Sequence, residues 1–289
     1  MKYKVLGIGE ILWDLLPSGK QLGGAPANFA YHAHALGAEA RPISRVGNDP
    51  LGREILDRLC TLGLPTDGVS VDPTAPTGTV SVELQPDGQP RFIIHENVAW
   101  DRLEALENVQ ADAICFGSLG QRCAPAQRAI RAMVAAAPDD ALRVFDINLR
   151  QRFYSREIIE SSLALSDALK LNDAELPVLA EMFGLGGDTR AQLAALAGRF
   201  RLRAVALTRG ANGSLLLADG AWSEHPGLRV EVVDAVGAGD AFTAVWTLGL
   251  LAGQPLDEIN RRANEVAAYV CSQSGATPPL PEPLRRKVI

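Results

Sequence analysis

The chain has 289 residues, of which 47% are hydrophobic, and a formal net charge of -6. That is enough apolar material for one large buried core, and the acidic balance excludes a general binder of nucleic acid or anionic membrane. The four cysteines (Cys60, Cys115, Cys123 and Cys271) have no C-x-x-C or metal-ligand spacing, which fits free thiols in a reducing cytoplasm.

In chain order, the first predicted strand is Lys4–Ile8 (KVLGI). Glu10 and Asp14 interrupt the sequence behind it, so the N-terminus does not read as a signal peptide. A helix is predicted over 24–36, with Pro26 in its first turn and Gly37 at its stop. A strand over 40–46 and a helix over 51–62, ended by Gly63, follow. The segment 79–85 (TVSVELQ) alternates, with Val80, Val82 and Leu84 on one face. Asp87-Gly88 is a hairpin turn signal, and 91–95 returns. Such a hairpin is marginal alone and needs a partner subunit, a ligand site or the main domain to cover it.

Short apolar runs at Ala113–Phe116, 143–147 and 168–171 have the character of buried parallel strands. Helical patterns at 125–136, 157–165 and Thr189–Phe200 separate or follow them, and 205–207 and 214–217 are further strands. The βαβα rhythm predicts an α/β fold, a doubly wound, mostly parallel sheet with helices on both faces. The longest apolar stretch, 241–252, is about a dozen residues and too short to span a bilayer.

The most informative stretch is 232–251 (VVDAVGAGDAFTAVWTLGLL). Val232 and Val233 lead in as a strand ending would. Gly237, Ala238 and Gly239 follow, bare enough for backbone N–H groups to meet an anion at a helix start. A P-loop would need lysine and a hydroxyl where Asp240 and Ala241 stand. A dinucleotide fingerprint would need a small residue where Phe242 stands, and belongs in the first βα turn. What remains is an anion site carrying its own carboxylate, or an ordinary helix start with Asp240 as a first-turn acid.

Other polar clusters stand at strand ends, where α/β sheets bind ligands. Asp14 follows the first strand, Gly23-Gly24 opens the next helix, and Asn28 lies in its first turns. These could bond sugar hydroxyls, or be a helix start with an incidental Asn. Asp146, Asn148 and Arg150 alternate past another strand. Asn172 and Glu175, three apart on one helical face, could hold a magnesium-bound water or form a cap. Thr208, Arg209, Gly210 and Gly213 form a strand-to-hairpin turn. His32, His34, His95 and His225 pair with no nucleophile or metal set and read as structural.

Taken in order, GEILWDLL, LGGAPANFAYHAHALGA, SRVGNDPLGREIL, FDINLR, LKLNDAE, LTRGANGSLL and VDAVGAGDAF resemble the ribokinase-like, or phosphofructokinase-B-type, sugar kinases over nearly the whole chain. The GGAPANFA wording is most similar to fructokinases. The resemblance implies a single three-layer domain over 1–289, with a β lid built from about 10–23 and 70–97. It implies Asp240 as catalytic base and Gly237, Ala238 and Gly239 as the anion hole. Asp14, Gly24 and Asn28 would hold the sugar, and Arg150 would reach sugar or phosphate. Asn172 and Glu175 would act through Mg2+ and its waters. Thr208, Gly210 and Gly213 would line the ATP site, with Asn264 near the adenine. Asp234 and the Val236 carbonyl are similar to part of a monovalent-cation (K+) site.

One departure is Ala235, where the family usually has threonine; another is Pro278-Pro279, where a ribokinase often offers a serine. Both leave potassium dependence open. The expected chemistry is in-line phosphoryl transfer to a small sugar, fructose first. Asp240 at a helix N-terminus is expected to have a lowered pKa. Rival readings are a kinase of 2-keto-3-deoxygluconate, ribose or a nucleoside, a non-catalytic sugar-binding regulator, and a nicotinamide oxidoreductase that Phe242 disfavours. A dimer through the lid is the expected assembly.

Overall fold

The computed structural model describes residues 2–17, 19–84 and 90–285. The strands are β1 (Lys4–Ile8), β2 (Leu12–Leu16), β3 (Gly19–Gly23), β4 (Glu39–Gly47), β5 (Val69–Asp72), β6 (Gly78–Leu84), β7 (Pro90–Ile94), β8 (Ala113–Phe116), β9 (Leu142–Asp146), β10 (Ala168–Asn172), β11 (Ala204–Thr208), β12 (Ser214–Ala218) and β13 (Ala221–His225). The longer helices are α1 (Ala25–Ala35), α2 (Pro50–Thr61), α3 (Ala124–Ala135), α4 (Arg156–Ala164), α5 (Glu175–Phe183), α6 (Thr189–Phe200), α7 (Ala238–Leu251) and α8 (Leu256–Cys271).

Nine strands form one sheet in the order β13-β12-β11-β10-β9-β8-β1-β4-β5. From β5 through β11 neighbouring strands run parallel, and β12 and β13 return antiparallel. Both faces are covered, as a parallel sheet requires. Strand residues alternate between the two layers: Leu6 and Phe145 pack with α3–α6 on one side, Val5 and Val144 with α1, α7 and α8 on the other. Starts are set locally. Asp49, Ser155 and Asp188 cap α2, α4 and α6, each accepting a backbone N–H of the first turn.

A separate four-stranded sheet, β3-β2-β6-β7, lies against the strand-end side. Its inner face, Leu12, Val80 and Ile94, packs on Trp100, Leu119 and Phe153 of the main body. The main domain thus covers the base of the alternating hairpin. The Asp87-Gly88 turn and the Leu84 side chain lie outside the described residues. The 70–97 segment starts in the core, because Val69–Asp72 pairs with β4 in the large sheet.

One expectation needs amending. Val232 and Val233 end no strand: residues 226–235 form an irregular segment outside both sheets, and both valines are exposed. Its ties there are the N–H groups of Val233 and Asp234, which donate to the Cys271 carbonyl. Strands β2 and β3 fall within the 10–23 stretch of the β lid that the resemblance implies, although no alternation in the sequence marks them. The helix α8, which carries Asn264, is not among the predicted helices. Among the described residues, no helix is long and apolar enough to cross a membrane, and all four cysteines are free.

Candidate active site

One cavity of about 2140 Å³ runs along the ends of the parallel strands, between the large sheet and the small one. Every residue to which the family resemblance gives a role lines it except Glu175, which is buried behind its wall.

Asp240 lies at the centre, in the first turn of α7. The helix starts at Gly237, whose φ of 81° is left-handed; a Cβ there would sit 2.4 Å from the Ala276 carbonyl oxygen. The turn therefore needs glycine twice over, for its φ and for the close approach. His32 fixes the Ala276 carbonyl from behind through Nε2, at 2.9 Å. Burial lowers the His32 pKa to about 4, so the ring is neutral and carries its proton toward that carbonyl. It is structural, as its spacing suggested.

The Asp240 carboxyl is enclosed by protein on most sides and open to the cavity on one. Asn28 Nδ2 donates to its Oδ2 at 2.8 Å. Its pKa is raised to about 6, first by burial and then by Asp146, against the lowering pull of Asn28, Lys170 and Arg150. This overturns the expected lowering: desolvation outweighs the helix N-terminus. The group is still mostly ionised at neutral pH.

Below the glycines, Lys170 Nζ would lie 3.1 Å from a Cβ at Gly239. It donates to Asp146 Oδ1 at 3.1 Å, and Thr243 Oγ1 donates to Asp146 Oδ2 at 2.9 Å. Burial pulls the Lys170 pKa down, but Asp146, Glu175 and Asp240 together outweigh it and raise it. The buried cation thus stands under the loop, beside Asp240.

At one end of the cavity are Asp14, on β2, Gly24 and Asn28 at the start of α1, and Arg150 after β9. A Cβ at Gly23 would lie 2.3 Å from Asp14 Oδ2, so that glycine makes room for the carboxyl. Asp14 is pushed up to about 6 by burial, with Arg150 lowering it and Asp234 raising it. Asn28 is buried, and its Oδ1 has no protein partner. Arg150 faces Glu10, Asp14 and Asp240 electrostatically. It is carried on a bent loop: Asn148 and Gln151 both have positive φ, at 40° and 48°.

At the other end, Thr208, Gly210 and Gly213 form the wall after β11. Gly213 has φ 77° and no room for a Cβ, which would meet the His225 carbonyl oxygen at 2.0 Å. Asn264 lines the wall too, but its Nδ2 ties α8 to β12 by donating to Ser214 Oγ and to Asn260. Asn172 and Glu175 make the capping arrangement: Asn172 Oδ1 accepts from Ala174 and Glu175 N–H, and Glu175 accepts from Asn172 N–H. The other Glu175 oxygen accepts from Leu149 N–H at 2.8 Å, so one carboxylate joins the Arg150 loop to β10. Asp234 accepts from Val236 and Gly275 N–H. Among the described residues, no three His, Cys, Asp or Glu side chains cluster to hold a metal directly.

Residues 18–283 match the pfkB family carbohydrate kinase domain. The chain belongs to the pfkB family of carbohydrate kinases. It is 30% identical to a fructokinase of Klebsiella pneumoniae, over 96% of this chain and 94% of that one. It is 28% identical to a fructokinase of Solanum tuberosum, over 96% and 92%. Among solved structures, a fructokinase from Xylella fastidiosa with bound ATP superposes with a TM-score of 0.84 at 25% identity, covering 97% and 96%. The fold is ribokinase-like, as the motif order implied.

Within this pfkB kinase, sequence reasoning left Glu10 and Lys170 out of the site. Lys170 had a signal: a lysine inside the apolar run ALKL must find a partner if the run is a buried strand. Glu10 stood in the quoted motif GEILW but had no distinguishing spacing.

Proposed function

We propose that this pfkB carbohydrate kinase transfers the γ-phosphoryl group of ATP to a primary hydroxyl of a small sugar, with fructose giving fructose 6-phosphate as the leading reaction. The observation that carries it is Asp240: an ionisable carboxyl, held by Asn28, beside the N–H-lined start of α7 and open to a cavity with hydroxyl-binding side chains at one end. The fructokinase relatives support fructose over 2-keto-3-deoxygluconate, ribose or a nucleoside. The intact carboxylate supports an enzyme over a sugar-binding regulator.

In this reading Asp14, Gly24 and Asn28 hold the sugar, and the unpartnered Asn28 Oδ1 accepts from one hydroxyl. Asp240 takes the proton as the bond to phosphorus forms. The N–H groups of Gly237, Ala238 and Gly239, with the α7 dipole, steady the transferring group. Arg150 spans sugar and phosphoryl oxygens. Thr208, Gly210, Gly213 and Asn264 line the nucleotide end. Magnesium, when bound, neutralises the nucleotide phosphates. The oxygen donors of Asn172 and Glu175 suit a hard cation held through water, since both side chains already accept backbone N–H. Asp234 and the Val236 carbonyl are the candidate potassium ligands, and Ala235 and Pro279 make that ion the least supported part. A cytoplasmic setting fits free thiols.

ADP release with magnesium-ATP across a panel of sugars tests the function; silence on every sugar would overturn it. The pH profile tests the base. Asp240 acts ionised, and its pKa is about 6. Activity is therefore fully present above that value and lost as pH falls through it. Asp14, also at about 6, steepens the fall. A kcat/KM that stays level down to roughly pH 5 would remove Asp240 as base.

We also propose a homodimer through the small sheet, where Phe92 is 50% and Leu15 is 38% exposed. Light scattering is expected to give twice the chain mass. A monomer at micromolar concentration, with Phe92→Ser unchanged, would overturn the dimer.

A further inference from the structure

Glu10 follows β1 and lines the same end of the cavity as Asp14, Gly24, Asn28 and Arg150. Its side chain is 3% exposed, and its Oε2 has no hydrogen-bond partner. Gly120 leaves space for the carboxyl, since a Cβ there would lie 3.3 Å from Oε2. The groups facing it come from three elements: Arg150 on the loop after β9, Asp240 on α7, and the Ala25 N–H at the start of α1.

Backbone N–H groups of Glu10 and Ala25 serve the carboxyl, but a buried carboxyl oxygen left without a partner is a cost to the fold. Nothing in β1 asks for it, because the strand positions before it, Leu6 and Ile8, are apolar and packed. A ligand hydroxyl that met the carboxyl would offset that cost. Burial raises the Glu10 pKa to about 7, so the group can accept from a hydroxyl when ionised and donate to one when protonated. A substrate carboxylate is different. With Glu10 and Asp14 together, it would be desolvated beside two acids, against the single Arg150 guanidinium.

We propose that Glu10 is a specificity-determining residue of the sugar site, bonding a hydroxyl of a neutral polyhydroxylated substrate and disfavouring a sugar acid. This rests on the sugar-kinase reading above.

The test compares the full-length chain with Glu10→Leu and Glu10→Gln, using fructose and 2-keto-3-deoxygluconate as substrates with magnesium-ATP. Glu10→Leu is expected to raise KM for fructose by roughly 10- to 100-fold, the size of a lost bond to a charged group, with KM for ATP unchanged. Glu10→Gln keeps a hydrogen-bonding oxygen and loses the charge, so its KM for fructose rises less and its preference moves toward the acid. Thermal melting checks that both variants are folded. An unchanged KM for fructose in Glu10→Leu, or a wild-type preference for 2-keto-3-deoxygluconate, overturns the assignment while leaving the kinase reading intact. No turnover of any sugar by the wild type overturns the kinase reading, and this assignment with it.

Discussion

Asp240→Asn is expected to lower kcat by roughly 10²- to 10⁴-fold while KM for sugar and for ATP stays near the wild-type value, because the proton acceptor is lost and the binding contacts are not. The asparagine is isosteric, and its carbonyl oxygen can still accept from Asn28 Nδ2, the bond now made at 2.8 Å. The same variant is expected to melt higher. The Asp240 pKa is raised from 3.8 to about 6, so the folded state binds its proton more tightly than the unfolded chain does. Stability is then highest below the unfolded value and falls as pH rises through the folded one. At pH 8 the ionised carboxylate costs the fold on the order of 2 kcal/mol after allowing for its solvent-facing side. Steady-state kinetics and thermal melting at pH 8 check the pair of effects. A variant with near-normal turnover would remove Asp240 as the base. One that is inactive and melts lower would point to a damaged fold instead.

The largest effect on stability is expected from Lys170→Met. Lys170 and Asp146 are 5% and 4% exposed, and the ammonium is the charge that Asp146 faces at 3.1 Å. Removing it strands a buried carboxylate, with the Thr243 hydroxyl as its remaining partner. Breaking such a pair costs about 3–5 kcal/mol, a fall in Tm of roughly 5–8 °C for a chain of this size. Removing both charges is different, since a buried pair replaced by apolar groups of similar size is often neutral. Lys170→Met with Asp146→Leu should therefore regain most of the loss. Differential scanning calorimetry of the single and double variants decides it. A single variant melting within about 2 °C of the wild type would show that the pair contributes little.

The sequence was most legible where chemistry restricts residue choice. Gly237 admits no larger side chain, Gly239 sits tightly over the Lys170 ammonium, and Asp240 follows them in the first turn of α7. The buried parallel strands were legible as short apolar runs, because both of their faces are covered. The lid was half legible. Its hairpin alternates along β6, whereas β2 and β3 carry Asp14, Gly19, Lys20 and Gln21, and β2 pairs with β6, far away in the chain. Val232 and Val233 misled for the opposite reason: two β-branched residues suggested a strand, but no neighbouring strand is there to pair with them. Burial set what sequence could not. The raised pKa of Asp240 comes first from its burial and then from Asp146 on β9, and the link from Glu175 on α5 to Leu149 joins segments that no local pattern pairs.

Asp14 belongs to the small sheet, whereas Asn28 and Asp240 belong to the helices on the large one. In the proposed reading the acceptor's binding site is therefore divided between two bodies, and a bound sugar would bridge them. A displacement of the small sheet would then take Asp14 away from Asp240, and the reacting geometry would exist only while the two are apposed. On that reading, protection of the phosphoryl donor from wasteful hydrolysis would need no separate gate, because the acceptor itself would complete the enclosure.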